Sequence, residues 1–275
     1  MSVDDRAAVR DYYDRFGAAE RDRLTADPAG RVSLEVHRRF LVRFVRPGDR
    51  VLEVGAGPGV FTAELARLGA TVVVTDLSPV QLELNREHVG GTPAEAAVER
   101  RELLDVCDVS RYPDHAFDAV VAYGGPLSYA FEQTEAALRG LLRVTRPGGA
   151  VVASVMSTLG TWRSGLRGVV GLAEKVGEDV NDLVLTTGDL RHVPGAAHVC
   201  RMFRAAEVRA LATAAGGQPV AMSASHWASL GDPGALAVLE GDVGRWARFL
   251  DHEVAACAEP GALDGGTHVL VAVRA

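Results

Sequence analysis

The residues whose type and spacing could do chemistry cluster early in the chain. Gly55, Gly57 and Gly59 recur at two-residue intervals in VLEVGAGPG, Glu53 stands two residues ahead of them, and Asp76 closes the apolar run VVVTD. Glycine tolerates positive φ and lets a ligand approach the backbone, so a glycine cluster between an apolar run and an amphipathic one makes a binding turn. An acid at the end of the next strand suits a bidentate bond to a ribose diol. A further acid with its following amide, Asp108 and Val109, suits the edge of an adenine. Each has a structural alternative. Asp76 could be a helix-capping or loop acid, and Asp105 and Asp114 lie close enough to Asp108 to compete for its place.

The elements that must hold these groups alternate regularly. Val51, Leu52 and Val54 read as a buried parallel strand, and Phe61, Leu65 and Leu68 carry helical periodicity through FTAELARLGA. VVV is a second strand. Ser78 and Pro79, a cap followed by proline at the first helical position, open LSPVQLELNREHV. ELLDV reads as a third strand finishing near Asp105, AVVAY as a fourth ending at Tyr123, and AVVASVM as a fifth after an amphipathic helix and the turn RPGG. This alternation predicts helices on both faces of a mostly parallel sheet. Residues 1–49 read as an N-terminal helical lid, with Val9, Tyr12, Tyr13 and Phe16 on one face and a second helix opening at Ser33. The pair could simply cover a sheet edge, or Tyr12 and Tyr13 could close over a ligand. Residues 50–156 form the binding core. The rhythm breaks over 157–200, a candidate substrate-shaping insertion, and 201–275 complete the core with a helical insertion before the last strand, HVLVAV.

Composition narrows the partners. The 275 residues carry a formal net charge of −7, which argues against a grip on nucleic acid through phosphate neutralisation. Cys107, Cys200 and Cys257 are scattered and odd in number, with neither a disulfide framework nor metal-ligand spacing. The charged stretch MSVDDRAAVRDYYDRF has no signal-type apolar core, and no run reaches membrane-spanning length. The expectation is a cytoplasmic monomer or homodimer with no metal, membrane or nucleic-acid partner.

The glycine spacing bears on the ligand. A dinucleotide fingerprint, G-x-G-x-x-G, would place its third glycine at Val60, so the match fails. Glu53 would repel a pyrophosphate, whereas it could order a moiety carrying an ammonium group. On VLEVGAGPG, TDLS, the CDV segment, the YGG turn after the fourth strand, RPGG and MFRAAEVRALATAAG, the chain resembles class I S-adenosylmethionine-dependent methyltransferases over most of residues 35–225 and the final strand. The resemblance implies an α/β, Rossmann-like sheet of seven strands in the order 3-2-1-4-5-7-6, mostly parallel with a reversed last hairpin. It implies S-adenosylmethionine as cofactor and S-adenosylhomocysteine as product. It places Glu53, Gly55, Ala56 and Gly57 along the methionine and ribose, Asp76 on the ribose hydroxyls and Leu77 beside the adenine. Asp108 and Val109 fall on the adenine edge, Tyr123 and Gly124 beneath the methionine, and Tyr12 and Tyr13 in a lid.

Methyl transfer from a sulfonium needs no metal and no covalent enzyme intermediate; it needs a nucleophile held in line and shielded from water. A hydroxyl or ammonium acceptor also needs a base. His198 and His192 in the insertion are the candidates, with Tyr129 or Tyr13 as orienting hydroxyls and His226 as a further option; each histidine could equally be an ordinary polar loop residue. Arg191 and Arg204 could hold a substrate carboxylate or be paired with acids. YGGPLSY is unlike the N/D-P-P-Y/F turn that resembles amino-directed methylation of nucleic acid or glutamine. With the insertion and Trp162, it points to a small-molecule acceptor in a partly apolar pocket, methylated on O, N or C. Protein methylation, a catalytically silent binding protein of the same fold and an NAD-dependent oxidoreductase are the alternatives.

Overall fold

The computed structural model describes residues 3–22 and 24–275, with side chains from Asp5 onward. Met1, Ser2 and Arg23 of the expected N-terminal helical segment lie outside the described residues. In chain order the elements are α1 (Val3–Phe16), α2 (Ala19–Asp22), α3 (Pro28–Leu41), β1 (Arg50–Val54), α4 (Val60–Arg67), β2 (Thr71–Asp76), α5 (Pro79–Val89), β3 (Val98–Leu103), β4 (Phe117–Ala122), α6 (Thr134–Val144) and β5 (Thr145–Met156). There follow α7 (Thr158–Ser164), α8 (Leu166–Val176), α9 (Glu178–Thr187), α10 (Ala205–Ala214), β6 (Gln218–Ala224), α11 (Pro233–Glu240), α12 (Val243–Cys257) and β7 (His268–Arg274).

The seven strands form one sheet in the order β3-β2-β1-β4-β5-β7-β6, as expected. All pairings are parallel except those of β7, which runs antiparallel to both β5 and β6. Leu52 of β1 lies opposite Val73 of β2 on one side and Val120 of β4 on the other. The carboxyl ends of these three strands therefore reach one edge together. The chain leaves β1 toward β2 and β3 and then crosses back to β4, so the switch in strand order falls between β1 and β4 above that edge.

Side-chain alternation along the strands builds two apolar layers. Leu52, Val73, Val120 and Val151 pack with Leu138 and Leu141 of α6 and Val208 of α10. Val51, Val72, Val121 and Val152 pack with Val32 and Phe40 of α3, Leu65 of α4 and Leu250 of α12. Burying each such aliphatic side chain is worth roughly 1.5–3 kcal/mol, which makes this double layer the rigid base on which the loops above the edge rest.

The N-terminal segment divides in function. α3 is capped six residues before Ser33, at Asp27, whose carboxylate accepts from Gly30 N at 2.7 Å, with Pro28 next. Ser33 is buried inside the helix, and its carbonyl meets the ring of His37. α3 thus belongs to the core. α1, by contrast, lies over the edge of the sheet against α5. Ser78 donates to Asp14 at 2.5 Å, and Gln81 Nε2 donates to the carbonyls of Tyr13 and Gly17. After β5 come α7 to α9, with α7 packed against the loop before β7 at Gly160, and the chain returns through a bridge between Asp189 and Arg201. α8 buries none of its residues.

Candidate active site

Above β1 and β2 the backbone itself makes the binding turn. Gly55 has φ +68°, which L side chains rarely adopt, and a side chain there would also collide with Pro126: its Cβ would stand 2.5 Å from Pro126 Cγ. Gly57, at φ +52°, has its amide 2.9 Å from Asp76 Oδ2, and Ser78 N donates to Asp76 Oδ1 at the same distance. The carboxylate that ends β2 therefore clamps the glycine turn to the start of α5. Burial pushes Asp76 up to about 6, with Glu20 nearby adding to the rise and the two amides opposing it.

The cleft over this clamp holds about 640 Å³, counting the part open to solvent. Gly55, Gly57, Asp76 and Leu77 line it, and so do Tyr13, Gly124 and Tyr129. Its walls have the polarity a nucleoside joined to an amino acid requires. Leu77, Leu104 and Val106 offer an apolar slot, Asp76 keeps lone pairs toward the cleft, and Gln81 Oε1 is a buried acceptor with no protein partner. The residues present therefore fit S-adenosylmethionine.

Several expected contacts fall elsewhere. Asp108 is exposed and accepts from Ser110 N and Oγ; Asp105 is the acid that reaches the cleft, with Cys107 N on its Oδ1 and Arg6 at 2.6 Å from its Oδ2. Val109 is buried in the core beside α6, and Val106 takes its place on the wall. Glu53 points to the opposite face of β1 from Val54. It accepts from Thr62 Oγ1 at 2.6 Å, Thr62 accepts from Asn85, and Asn85 accepts from Arg101. Burial pushes Glu53 up to about 8, against the pull of the Thr62 hydroxyl. It braces the glycine turn from beneath. Ala56 and Tyr123 also lie beneath the cleft, Tyr123 donating to His37 O at 3.3 Å.

A second cavity, of about 1090 Å³ counting its open part, adjoins the first and shares Tyr13, Glu20 and Gly124 with it. Tyr12 lines this one, its ring 4.6 Å from that of His198. Where the cavities meet, Tyr129 Oη lies 2.5 Å from Tyr13 Oη and 2.8 Å from His198 Nε2. Three of the expected residues, one each from α1, the turn after β4 and the insertion, thus form a single chain of polar groups. The loop bearing His198 is tied down nearby by Arg201 N donating to Ser128 O at 2.7 Å. Burial holds the Tyr129 hydroxyl well above the usual phenol range.

The other candidates separate from this junction. His192 is exposed and lines neither cavity. His226 reaches the second cavity but is held by Ser225 Oγ and Ala29 O, and burial lowers its pKa. Arg191 is committed to Asp189, Glu132 and Asp5, and exposed Arg204 meets the carbonyl of Leu185. Glu20 and Gln81 also line the cleft and were not foreseen, while Asp105 entered the sequence reading only as a competitor of Asp108. Of these, Gln81 carried a signal, since it lies on the first turn of a helix capped by Ser78, two residues after Asp76.

The strand order places the chain in a fold class shared by many small-molecule enzymes, and residues 51–149 match the family model described as a methyltransferase domain. The chain is similar to the demethylmenaquinone methyltransferase of Beutenbergia cavernae, 39% identical over 119 residues, 41% of this chain and 43% of the relative. It is also similar to that of Mycobacterium marinum, 38% identical over 117 residues, 42% and 44% of the two chains. The chain spans less than half the length of these curated relatives. Among solved structures, an S-adenosylmethionine-dependent methyltransferase from Thermotoga maritima superposes with a TM-score of 0.59 at 15% identity, covering 96% of this chain and 98% of the other. One from Mesorhizobium loti gives 0.57 at 18%, covering 87% and 98%. These likenesses show the fold. No helix among the described residues is long and apolar enough to cross a membrane, and no group of three or more potential metal ligands occurs among them.

Proposed function

We propose that the protein is an S-adenosylmethionine-dependent methyltransferase that methylates an O, N or C nucleophile of a small molecule. The observation that carries this reading is the junction of the two cavities, where Tyr13, Tyr129 and His198 stand between a cofactor-shaped cleft and a separate chamber. When bound, S-adenosylmethionine supplies a methyl group already activated on sulfur, leaving S-adenosylhomocysteine. In this reading Asp76, Gln81 and Asp105 hold the nucleoside, while Gly55 and Gly124 allow the methionine end to reach the junction. Tyr13 and Tyr129 orient the acceptor, and His198 Nε2 takes the proton that an O or N nucleophile releases. The tyrosine–histidine contacts and α1 keep water from that point. Residues 157–200 shape the chamber, and the acidic, cysteine-poor chain acts in the cytoplasm, as a monomer or homodimer and without nucleic acid.

Calorimetric titration with S-adenosylmethionine tests the first half of the proposal. Stoichiometric binding is expected, and no binding would overturn it. Transfer of labelled methyl from the cofactor to a panel of phenols, amines and carbon acids tests the second half. Label recovered only on protein would favour protein methylation instead.

A further inference from the structure

A third cavity opens from the acceptor chamber into the insertion. It shares Thr161, Leu190, His198 and Met202 with the chamber and runs between α7, α8 and α9, holding about 950 Å³ with its open part. Trp162, Val169, Leu172, Val184 and Val193 supply its walls, and among the described residues no Asp, Glu, Lys or Arg lines it. Its amide, Asn181, is already spent on the carbonyl of Val169 at 3.1 Å. Two glycines belong to the wall, Gly165 at the junction of α7 and α8 and Gly168 in the first turn of α8. At Gly168 an added Cβ would meet nothing within 4 Å, so no neighbour demands a glycine there. A larger side chain at this lining position therefore has room to extend without moving a neighbour.

We infer that this slot takes the uncharged apolar body of the methyl acceptor, whose nucleophilic head lies at Tyr129 and His198. The inference rests on the methyltransferase reading and names its substrate class: molecules with a polar, proton-bearing head and an extended hydrocarbon part. Continuity decides the occupant. His198 borders both cavities, so a ligand placed against it can extend into the slot without leaving the protein. The absence of any charged group in the lining disfavours an ionic tail, because a charge moved there would lose its hydration without gaining a partner.

A series of 4-alkylphenols, from 4-methylphenol to 4-octylphenol, tests this by calorimetry on the protein saturated with S-adenosylhomocysteine. Affinity is expected to rise about fourfold per added methylene before levelling off. Gly168→Leu, which fills the slot, should bring 4-octylphenol down to the affinity of 4-methylphenol. Gly171→Leu, three residues along the same helix but outside the lining, should keep the full series. Ala196→Leu narrows the slot from the opposite loop and should act like Gly168→Leu, which guards against a folding defect in either. A series flat with chain length in the wild-type protein, or one unchanged in both slot-filling variants, overturns the inference. Failure of S-adenosylhomocysteine to bind at all would instead count against the methyltransferase reading.

Discussion

Tyr129 Oη lies 2.8 Å from His198 Nε2, although 69 residues separate them in the chain. Tyr129 lines the first cleft and His198 lines the second cavity, so this bond joins the two. His198→Ala is expected to bind S-adenosylmethionine as the wild type does and to lose about 10²–10⁴-fold in the rate of methyl transfer, the usual worth of a general base. Tyr129→Phe should lose less, since the histidine remains. Single-turnover kinetics with an O- or N-acceptor identified by the labelling panel measures both; unimpaired turnover in His198→Ala would remove it as the base.

Asp76 joins the glycine turn to α5 through Gly57 N and Ser78 N. Removing its carboxylate would delete the acceptor proposed for the ribose and also free two amides that hold the cleft in shape. Charged hydrogen bonds contribute about 1.5–3 kcal/mol, so Asp76→Ala should weaken cofactor binding by roughly 10- to 150-fold in calorimetry. Equal affinity in the variant would sink the assignment.

The adenine edge offers a sharper comparison. Asp105 lines the cleft, whereas Asp108 is exposed and turned onto Ser110. Asp105→Asn is expected to lower cofactor affinity by about tenfold, the effect of one hydrogen bond to a charged group. Asp108→Asn should change it by less than about twofold. The opposite ranking would restore Asp108 as the adenine acid.

These cases show what could be read from the chain alone and what could not. The parallel strands, the glycine turn and Asp76 were legible because each depends on a local pattern: apolar runs, positive-φ residues and an acid at a strand end. Asp108 was not, because the loop after β3 folds into a turn in which Asp108 N donates to Asp105 O, and only that turn decides which carboxylate faces inward. Glu53 was misread even though the signal was present. Side chains alternate along a strand, so Glu53 and Val54 face opposite ways, and Val54 is the one that lines the cleft. His198 and His192 lie in an irregular loop with no periodicity, and only the anchoring of Arg201 N on Ser128 O brings one of them to Tyr129.

The buried bracing of the glycine turn makes stability depend on pH. Burial pushes Glu53 from its ordinary 4.5 up to about 8. Between those values the folded protein holds a proton that the unfolded chain has released. Stability therefore falls as pH rises through this window, and the contribution is fully present below about 4.5. Asp76, raised from 3.8 to about 6, adds a slope of the same sign over its lower part. Glu53→Gln keeps an oxygen for the Thr62 hydroxyl and cannot ionise. Thermal melts of the cofactor-free protein at pH 5.5, 7 and 8.5 should show Tm falling by several degrees in the wild type. In Glu53→Gln the decline between pH 7 and 8.5 should shrink most, because Asp76 is already ionised in that range. A variant that follows the wild-type curve throughout would show that Glu53 is ionised in the folded state across the whole window.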